Sequence, residues 1–292
     1  MKKNATIKDV ANAASVSVAT VSRVINRSDA VSEELKQKVT DAIKELDYTP
    51  NTAARNLVRR KTGAIGVVVN NLSDPFFHDL IRGFEMGGQR SGYNVIFCSV
   101  SGGDPKAKEK YVRYLSNGVV DGVILYGSYL SDKAVVDYLR QDTDMSYVMI
   151  ENDIDGINCN KMLIDNYGGA KMAVNYLIEQ GHKRIAHISG NTNRKVTLER
   201  LNAYVETMQE AGLKIDEHYI QHTGEDYRKA YQRMINLIKA PTAPSAVFCS
   251  DDGIASYAIR AIQDQGLSVP EDFSIIGFDN QTLLPDNYQG PH

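Results

Sequence analysis

The first fifty residues carry hydrophobic positions at helical spacing, broken twice by polar turns. Ile7, Val10, Ala11 and Ala14 recur at i, i+3, i+4 and i+7 behind a Thr6-x-x-Asp9 pair that resembles a capping box, so a short helix starts after Thr6. Ser17 is a second N-cap, and Val21, Val24 and Ile25 form the inner face of the helix it opens. Ser32 starts a third, with Glu33 and Glu34 at its positive end and Leu35, Val39, Ile43 and Leu46 as its stripe. Two such helices joined by a turn of about three residues make a helix-turn-helix.

From Ala64 the period changes. Short β-branched runs, apolar on both faces, alternate with amphipathic helices: Ile65–Val69, Val95–Cys98, Val119–Leu125, Tyr147–Ile150, Met162–Ile164, Arg184–Ile188, Ala246–Cys249 and Ser274–Phe278. The helices include Phe76–Arg90, Tyr167–Gln180, Leu198–Ala211, Arg228–Lys239 and Gly253–Gln265. Repeated βα units of this kind predict an α/β body with doubly wound parallel sheets. Between head and body, Asn51–Thr62 holds Ala53, Ala54, Leu57 and Val58 among four basic residues. A helix this short is marginal alone and forms only when something holds it.

The 292 residues suit more than one domain, and 42% hydrophobic with 24% charged residues is ordinary globular composition. The net charge of −3 hides an asymmetry: residues 1–62 sum to +5 and the remainder to −8. Only the head is suited to face phosphate. Cys98, Cys159 and Cys249 stand far apart without CxxC pairing, so neither a zinc site nor a disulfide framework is indicated, which fits a reducing cytoplasm. The lysines at the start are followed by Asp9 and Asn12 instead of an apolar signal-peptide stretch, and no run is long enough to span a bilayer.

The segment Thr6–Asn26, TIKDVANAASVSVATVSRVIN, offers a helix whose first turn shows Val18 and Ala19, with Thr20, Ser22 and Arg23 beside them. Hydroxyls suit phosphate, small apolar groups suit thymine methyls, and arginine suits a guanine edge. The plain alternative is a small helical packing domain.

With these motifs, and with ELDYTPNTAARNL, IGVVVNNLSDPFF, VDGVIL, DNYGGA, GHKRIAHISG and VPEDFSIIGFD, the chain closely resembles the LacI/GalR family of bacterial transcription regulators along nearly its whole length. The resemblance implies a helix-turn-helix head (1–50), a hinge (51–62) and a periplasmic-binding-protein-like body (63–292) of two subdomains, roughly 63–160 and 161–290. It implies a homodimer on a pseudo-palindromic double-stranded DNA operator, controlled by a small effector, a sugar or sugar phosphate, with no cofactor, enzyme activity or membrane. Val18, Ala19 and Arg23 match base-contacting positions. Thr6, Ser17, Thr20, Ser22 and Asn26 match positions that touch phosphate or cap helices. Asn51 and Ala54 belong to the hinge, and Leu57 matches the leucine that paired hinge helices push into the minor groove. Phe76, Phe77, Glu151, Arg200, Asp251 and Asp279 match effector positions, where carboxylates and a guanidinium fork grip hydroxyls and an aromatic face covers the C–H side. Asp165 and Asn166 are possible additions, each better explained as a helix N-cap.

The chain departs from the family at Ser15 and Asp47, where relatives have glycine and a positive φ is expected. Ala203 also replaces a glycine near the cleft, and the sequence ends at His292 where relatives continue, so it is expected to be either a fragment or a shortened protein whose first subdomain has an exposed strand edge. Two other functions fit the motifs: a sugar-binding protein without gene control, and a regulator whose coeffector is a protein. Nucleotide-binding and acyl-transfer fingerprints are missing. His218 and His222 have metal-ligand spacing, but the residues between them suit a strand.

Overall fold

The computed structural model describes residues 5–26, 31–50, 61–72, 76–100, 104–127, 129–142, 145–154 and 158–281. The chain divides into two compact units, residues 1–62 and 63–292.

The head is three helices, α1 (Ile7–Ala13), α2 (Val18–Asn26) and α3 (Glu33–Glu45). Val10, Ala11, Ala14, Val21, Val39 and Ala42 are buried at their junction, with Ile7, Val24, Ile25, Ile43 and Leu46 packed around them. Thr6 and Asp9 form the capping box reciprocally: Asp9 N donates to Thr6 Oγ1 (3.4 Å) and Thr6 N to Asp9 Oδ2 (2.8 Å). Ser17 caps α2, accepting from Thr20 N at 3.1 Å. Ser32 stands at the N-cap of α3 but makes no side-chain cap bond, so the start of that helix rests on its glutamates and its packing.

Ser15 and Asp47 do adopt positive φ, 53° and 47°. Each is the left-handed residue of a Schellman closure: Val16 N donates to Ala11 O and Ser15 N to Asn12 O after α1, Tyr48 N to Ile43 O and Asp47 N to Lys44 O after α3. Both helices therefore stop where glycine would be easiest, with a side chain carried at some cost in strain.

The body holds two all-parallel sheets. The first has order β2-β1-β3-β4-β5, from β1 (Ala64–Val69), β2 (Asn94–Ser99), β3 (Gly122–Tyr126), β4 (Ser146–Ile150) and β5 (Asn160–Met162). The second has order β7-β6-β8-β9, from β6 (Ile185–Ser189), β7 (Ile220–His222), β8 (Ala246–Cys249) and β9 (Ser274–Ile276). Their helices are α4 (Phe77–Ser91), α5 (Pro105–Ser116), α6 (Lys133–Asp142), α7 (Asn166–Glu179), α8 (Lys195–Glu210), α9 (Ala230–Ile238) and α10 (Asp252–Asp264). Central strands are buried on both faces, with β6 and β8 wholly inside, as crossover helices on either side require.

Three strands differ from the apolar runs that predict them; β9 ends at Ile276, two residues before the end of its run at Phe278. Val119 and Val120 both donate to Leu115 O and finish α5, so β3 starts only at Gly122. β5 is Asn160–Met162, paired with Val148–Ile150, whereas Met162–Ile164 is the apolar run; Leu163 and Ile164 are exposed on the way to the second sheet. The first sheet accordingly runs through Met162. His222 ends a strand and His218 lies in the preceding 3-10 turn, so the two histidines do not share a helix face.

Candidate functional site

Two surfaces carry the residues singled out in the sequence. On α2, the buried position is Val21, while Ser17, Val18, Ala19 and Arg23 are exposed. Burying Val21 is worth about 2 kcal/mol, enough to orient a helix this short. Its outer face then follows from the 3.6-residue period. Thr20 and Ser22 are half-buried: Thr20 Oγ1 lies 2.9 Å from Ser17 Oγ, and Asn26 Nδ2 donates to Ser22 O at 2.9 Å. Thr6, Ser17 and Asn26 thus hold helix ends and turns of the head. No acidic residue stands in the first turn of α2, so its positive end is not neutralised locally. Asn51, Ala54 and Leu57 lie outside the described residues.

The second surface is a cavity of about 260 Å³ between the two sheets of the body. Phe76, Phe77, Glu151, Arg200, Asp251 and Asp279 all line it, although they come from five separate stretches of chain. At one end Phe77 meets Tyr126 edge-on at 4.9 Å, with Phe76 at 6.0 Å from the same ring. Burial pushes the Tyr126 hydroxyl well above its ordinary pKa, so it stays protonated.

Arg200 organises the floor. Its Nε and Nη2 donate to Asn166 Oδ1 (2.9 and 2.7 Å), Nη1 to Ser250 O (2.6 Å), and Nη2 and Nη1 to Asp279 Oδ1 and Oδ2 (2.9 and 3.4 Å). Asn166 in turn donates to Glu151 Oε2 (3.1 Å), whose Oε1 accepts from Ile164 N (2.7 Å). Asn166 is therefore a buried bridge between Glu151 and Arg200, not an N-cap; Asp165 is the cap of α7, accepting from Gly168 N at 2.7 Å. Nothing short of the fold relates Asn166 to Arg200, 34 residues away.

The glycines of DNYGGA serve this floor. A side chain at Gly168 would collide with the Asp165 carboxylate, and one at Gly169 would meet the Phe278 ring at 2.8 Å. Phe278 lies under the Arg200 guanidinium, 3.8 Å from its ring centroid, so Gly169 lets the ring lie where it supports the arginine. Glu151 (φ 56°), in the connection from β4 to β5, and Asp279 (φ 86°), just after β9, both hold left-handed backbone. Such strain persists where surrounding bonds over-determine it, as the Glu151 and Asp279 carboxylates are here. Ala203, fully buried among α7 and α8 residues, lies in the core of the second sheet and does not line the cavity.

Asp251 is the N-cap of α10, its Oδ1 accepting from Ile254 N at 2.7 Å. Burial pushes its carboxyl up to about 6, against the lowering effect of that backbone bond. Asp252 accepts from Gln281 N at 2.6 Å. The cavity also holds groups that motif matching passed over. Tyr129 donates to Glu225 Oε1 at 2.8 Å, and Asn191 Nδ2 donates to the same oxygen. Tyr227 and Arg194 complete that end.

Residues 6–51 match the model for bacterial regulatory proteins of the lacI family, and residues 174–291 match the periplasmic binding protein-like domain. The ribose operon repressor of Haemophilus influenzae is 35% identical over 96% of this chain and 83% of its own length. The transcriptional repressor CytR of Escherichia coli K12 is 37% identical over 96% of this chain and 81% of its own. The chain belongs to the LacI family of bacterial regulatory proteins. Its fold matches that of the lac repressor dimer bound to operator and the anti-inducer ONPF, with a TM-score of 0.85 at 25% identity over 96% of this chain and 84% of that one. The CelR–cellobiose complex matches at a TM-score of 0.66 and 31% identity, covering 95% of this chain and 84% of that one. The LacI-family protein is a DNA-binding transcriptional regulator with a helix-turn-helix head and a periplasmic-binding-protein-like body. Among the described residues, no helix is long and apolar enough to cross a membrane.

Proposed function

We propose that this regulator is a cytoplasmic repressor that binds a pseudo-palindromic operator as a homodimer, and that a small hydroxyl-rich effector in the body cavity controls its affinity. The observation that carries the effector reading is the convergence of Glu151, Arg200, Asp251 and Asp279 with Phe76 and Phe77 on one 260 Å³ space. Four carboxylates, including Glu225, line it beside only two guanidiniums, and every N–H of Arg200 is already bonded to protein. The cavity thus offers acceptors to hydroxyl donors, and its charge favours an uncharged sugar over its phosphate ester. A relative named for the ribose operon and a fold neighbour holding cellobiose support a sugar.

On DNA, we assign base contacts to Val18, Ala19 and Arg23, and backbone contacts or helix-end capping to Thr6, Ser17, Thr20, Ser22 and Asn26. We assign Asn51, Ala54 and Leu57 to a hinge over residues 51–62 whose leucine wedges the minor groove. Two heads are needed because one small module makes too few base contacts for genomic specificity. The effector acts by its differential affinity for two arrangements of the subdomains.

The test is selection of a duplex from a random pool, followed by anisotropy titrations with and without compounds that raise the melting temperature. A compound bound at 100 times its Kd adds about 2.7 kcal/mol. A selected palindrome whose binding changes with such a compound supports the proposal. Enrichment of no sequence overturns the repressor reading, and a binding curve indifferent to every stabilising compound overturns effector control. Leu57→Ala is expected to weaken the selected site far more than random DNA; equal losses on both would remove the wedge.

A further inference from the structure

We propose that Lys108 is a positioning residue for the cavity: its buried ion pair with Asp132 sets the turn from which Tyr129 clasps the two subdomains together. Lys108 Nζ lies 2.6 Å from Asp132 Oδ1, and both side chains are completely buried. Asn152 Nδ2 donates to the other Asp132 oxygen at 3.3 Å. The cluster therefore ties helix α5, the turn after β3, and the start of the connection from β4 to β5 at Glu151 and Asn152.

Burial pulls the Lys108 ammonium below its ordinary pKa and pushes the Asp132 carboxyl above its own, each held back by the other's charge. A well-packed apolar pair of similar volume would be as stable or more so, so stability alone does not account for these charges. Their placement does. The pair sits directly beneath Gly127, where a Cβ would come within 2.7 Å of Lys108 Nζ. Asp132 N donates to Tyr129 O at 3.0 Å, and Lys108 Nζ stands 5.4 Å from the Tyr129 ring centroid. Turn, ring and ion pair form one unit.

That unit is where the first sheet's half meets the second's. Tyr129 pairs with Arg194 in an antiparallel bridge, and Leu130 N donates to Asn193 O at 3.0 Å. Tyr129 Oη reaches Glu225, itself held by Asn191, while the Arg194 guanidinium lies 5.9 Å from the same ring. Among the described residues this contact joins the walls of the cavity alongside the Asn166–Glu151 bond and the bonds of Lys195 to Asp153, and it is made of side-chain and single backbone bonds that can part. The clasp lies wholly within the body, so the inference does not depend on the function proposed above.

The test is amide hydrogen exchange on the full chain, read at Leu130, whose N–H crosses the cleft, and at Val100, whose N–H bonds Val69 O within the first sheet. Tyr129→Phe and the paired variant Lys108→Met/Asp132→Asn, which leaves no unpaired buried charge, are each expected to speed exchange at Leu130 about tenfold and to leave Val100 unchanged. The triple variant is expected to exchange no faster than either, because both changes release one clasp. Unchanged exchange at Leu130 in the paired variant, equal acceleration at Val100, or factors that multiply in the triple variant would each overturn the proposal. Should the paired variant not fold, Asn152→Ala, which removes only the second donor to Asp132, is read the same way, with about threefold acceleration expected and none overturning it.

Discussion

Arg200 and Asp279 form a two-bond ion pair, 2.9 and 3.4 Å, across 79 residues of sequence, and the pair joins α8 to the segment that follows β9. With Asn166 and Ser250 taking the remaining N–H groups, the guanidinium has no donor left over. A ligand at this floor meets the lone pairs of Asp279 and Glu151, or displaces one of these bonds.

Removing the arginine strands a nearly buried carboxylate and the Asn166 carbonyl. Arg200→Ala is therefore expected to cost about 3–5 kcal/mol in urea-induced unfolding of the body. Arg200→Lys, a point charge in place of a planar fork, is expected to recover less than half of that. A loss below 1 kcal/mol in the alanine variant would show that the network contributes little to stability.

Asp251 gives a stability change with a defined pH window. Its folded pKa, about 6, is above the ordinary 3.8, so the folded state keeps a proton that the unfolded state loses between those values. Stability from this group is full below pH 3.8 and falls as pH rises to about 6. Asp251→Asn keeps the N-cap and removes the buried charge. It is expected to stabilise the body by on the order of 3 kcal/mol at pH 7 and to gain nothing below pH 4. A gain independent of pH would contradict the burial argument.

His187 works in the opposite sense. It is fully buried between Tyr204 (5.2 Å) and Phe248 (4.9 Å), and burial lowers its pKa to about 3. The unfolded chain takes up a proton from pH 6.5 downward that the folded chain refuses, so stability is lost as pH falls from 6.5 toward 3. His187→Phe gives up the bond to Phe248 O and starts less stable. Its stability relative to the parent is nevertheless expected to rise by up to about 1.4 kcal/mol per pH unit below 6.5. Parallel curves for the two proteins would show that the ring is protonated inside the fold.

In the head, Ser15→Gly is expected to raise stability by about 1 kcal/mol, because the position is left-handed and closes α1. Asp47→Gly is expected to gain less, since aspartate tolerates that region better. Thermal melts of the full chain decide it; a destabilised Ser15→Gly would mean that the serine side chain makes up for the strain.

Arg23 is exposed on the α2 face that Val18 and Ala19 share. Arg23→Ala is expected to weaken the selected site by about 1–3 kcal/mol and to relax preference at one base pair. Binding reduced equally on all sequences would place Arg23 on phosphate.

The sequence by itself determined the local elements and their order, because helix caps, a 3.6-residue stripe and apolar β runs act over a few neighbouring residues. It also marked Ser15 and Asp47 as left-handed, and named the six cavity residues through motif resemblance. Where strands start and stop was decided by pairing: Val119 and Val120 look like strand and instead close α5, and β5 sits two residues earlier than its apolar run because β4 sets the register. Asn166 reads as a cap and becomes the bridge between Glu151 and Arg200, since Asp165 takes the cap and the crossover turns Asn166 inward. Lys108, Asp132, Tyr129 and Glu225 carry no local signal at all. A buried ion pair and a cross-cleft hydrogen bond are products of long-range burial, and only the packed body brings such groups within reach of one another.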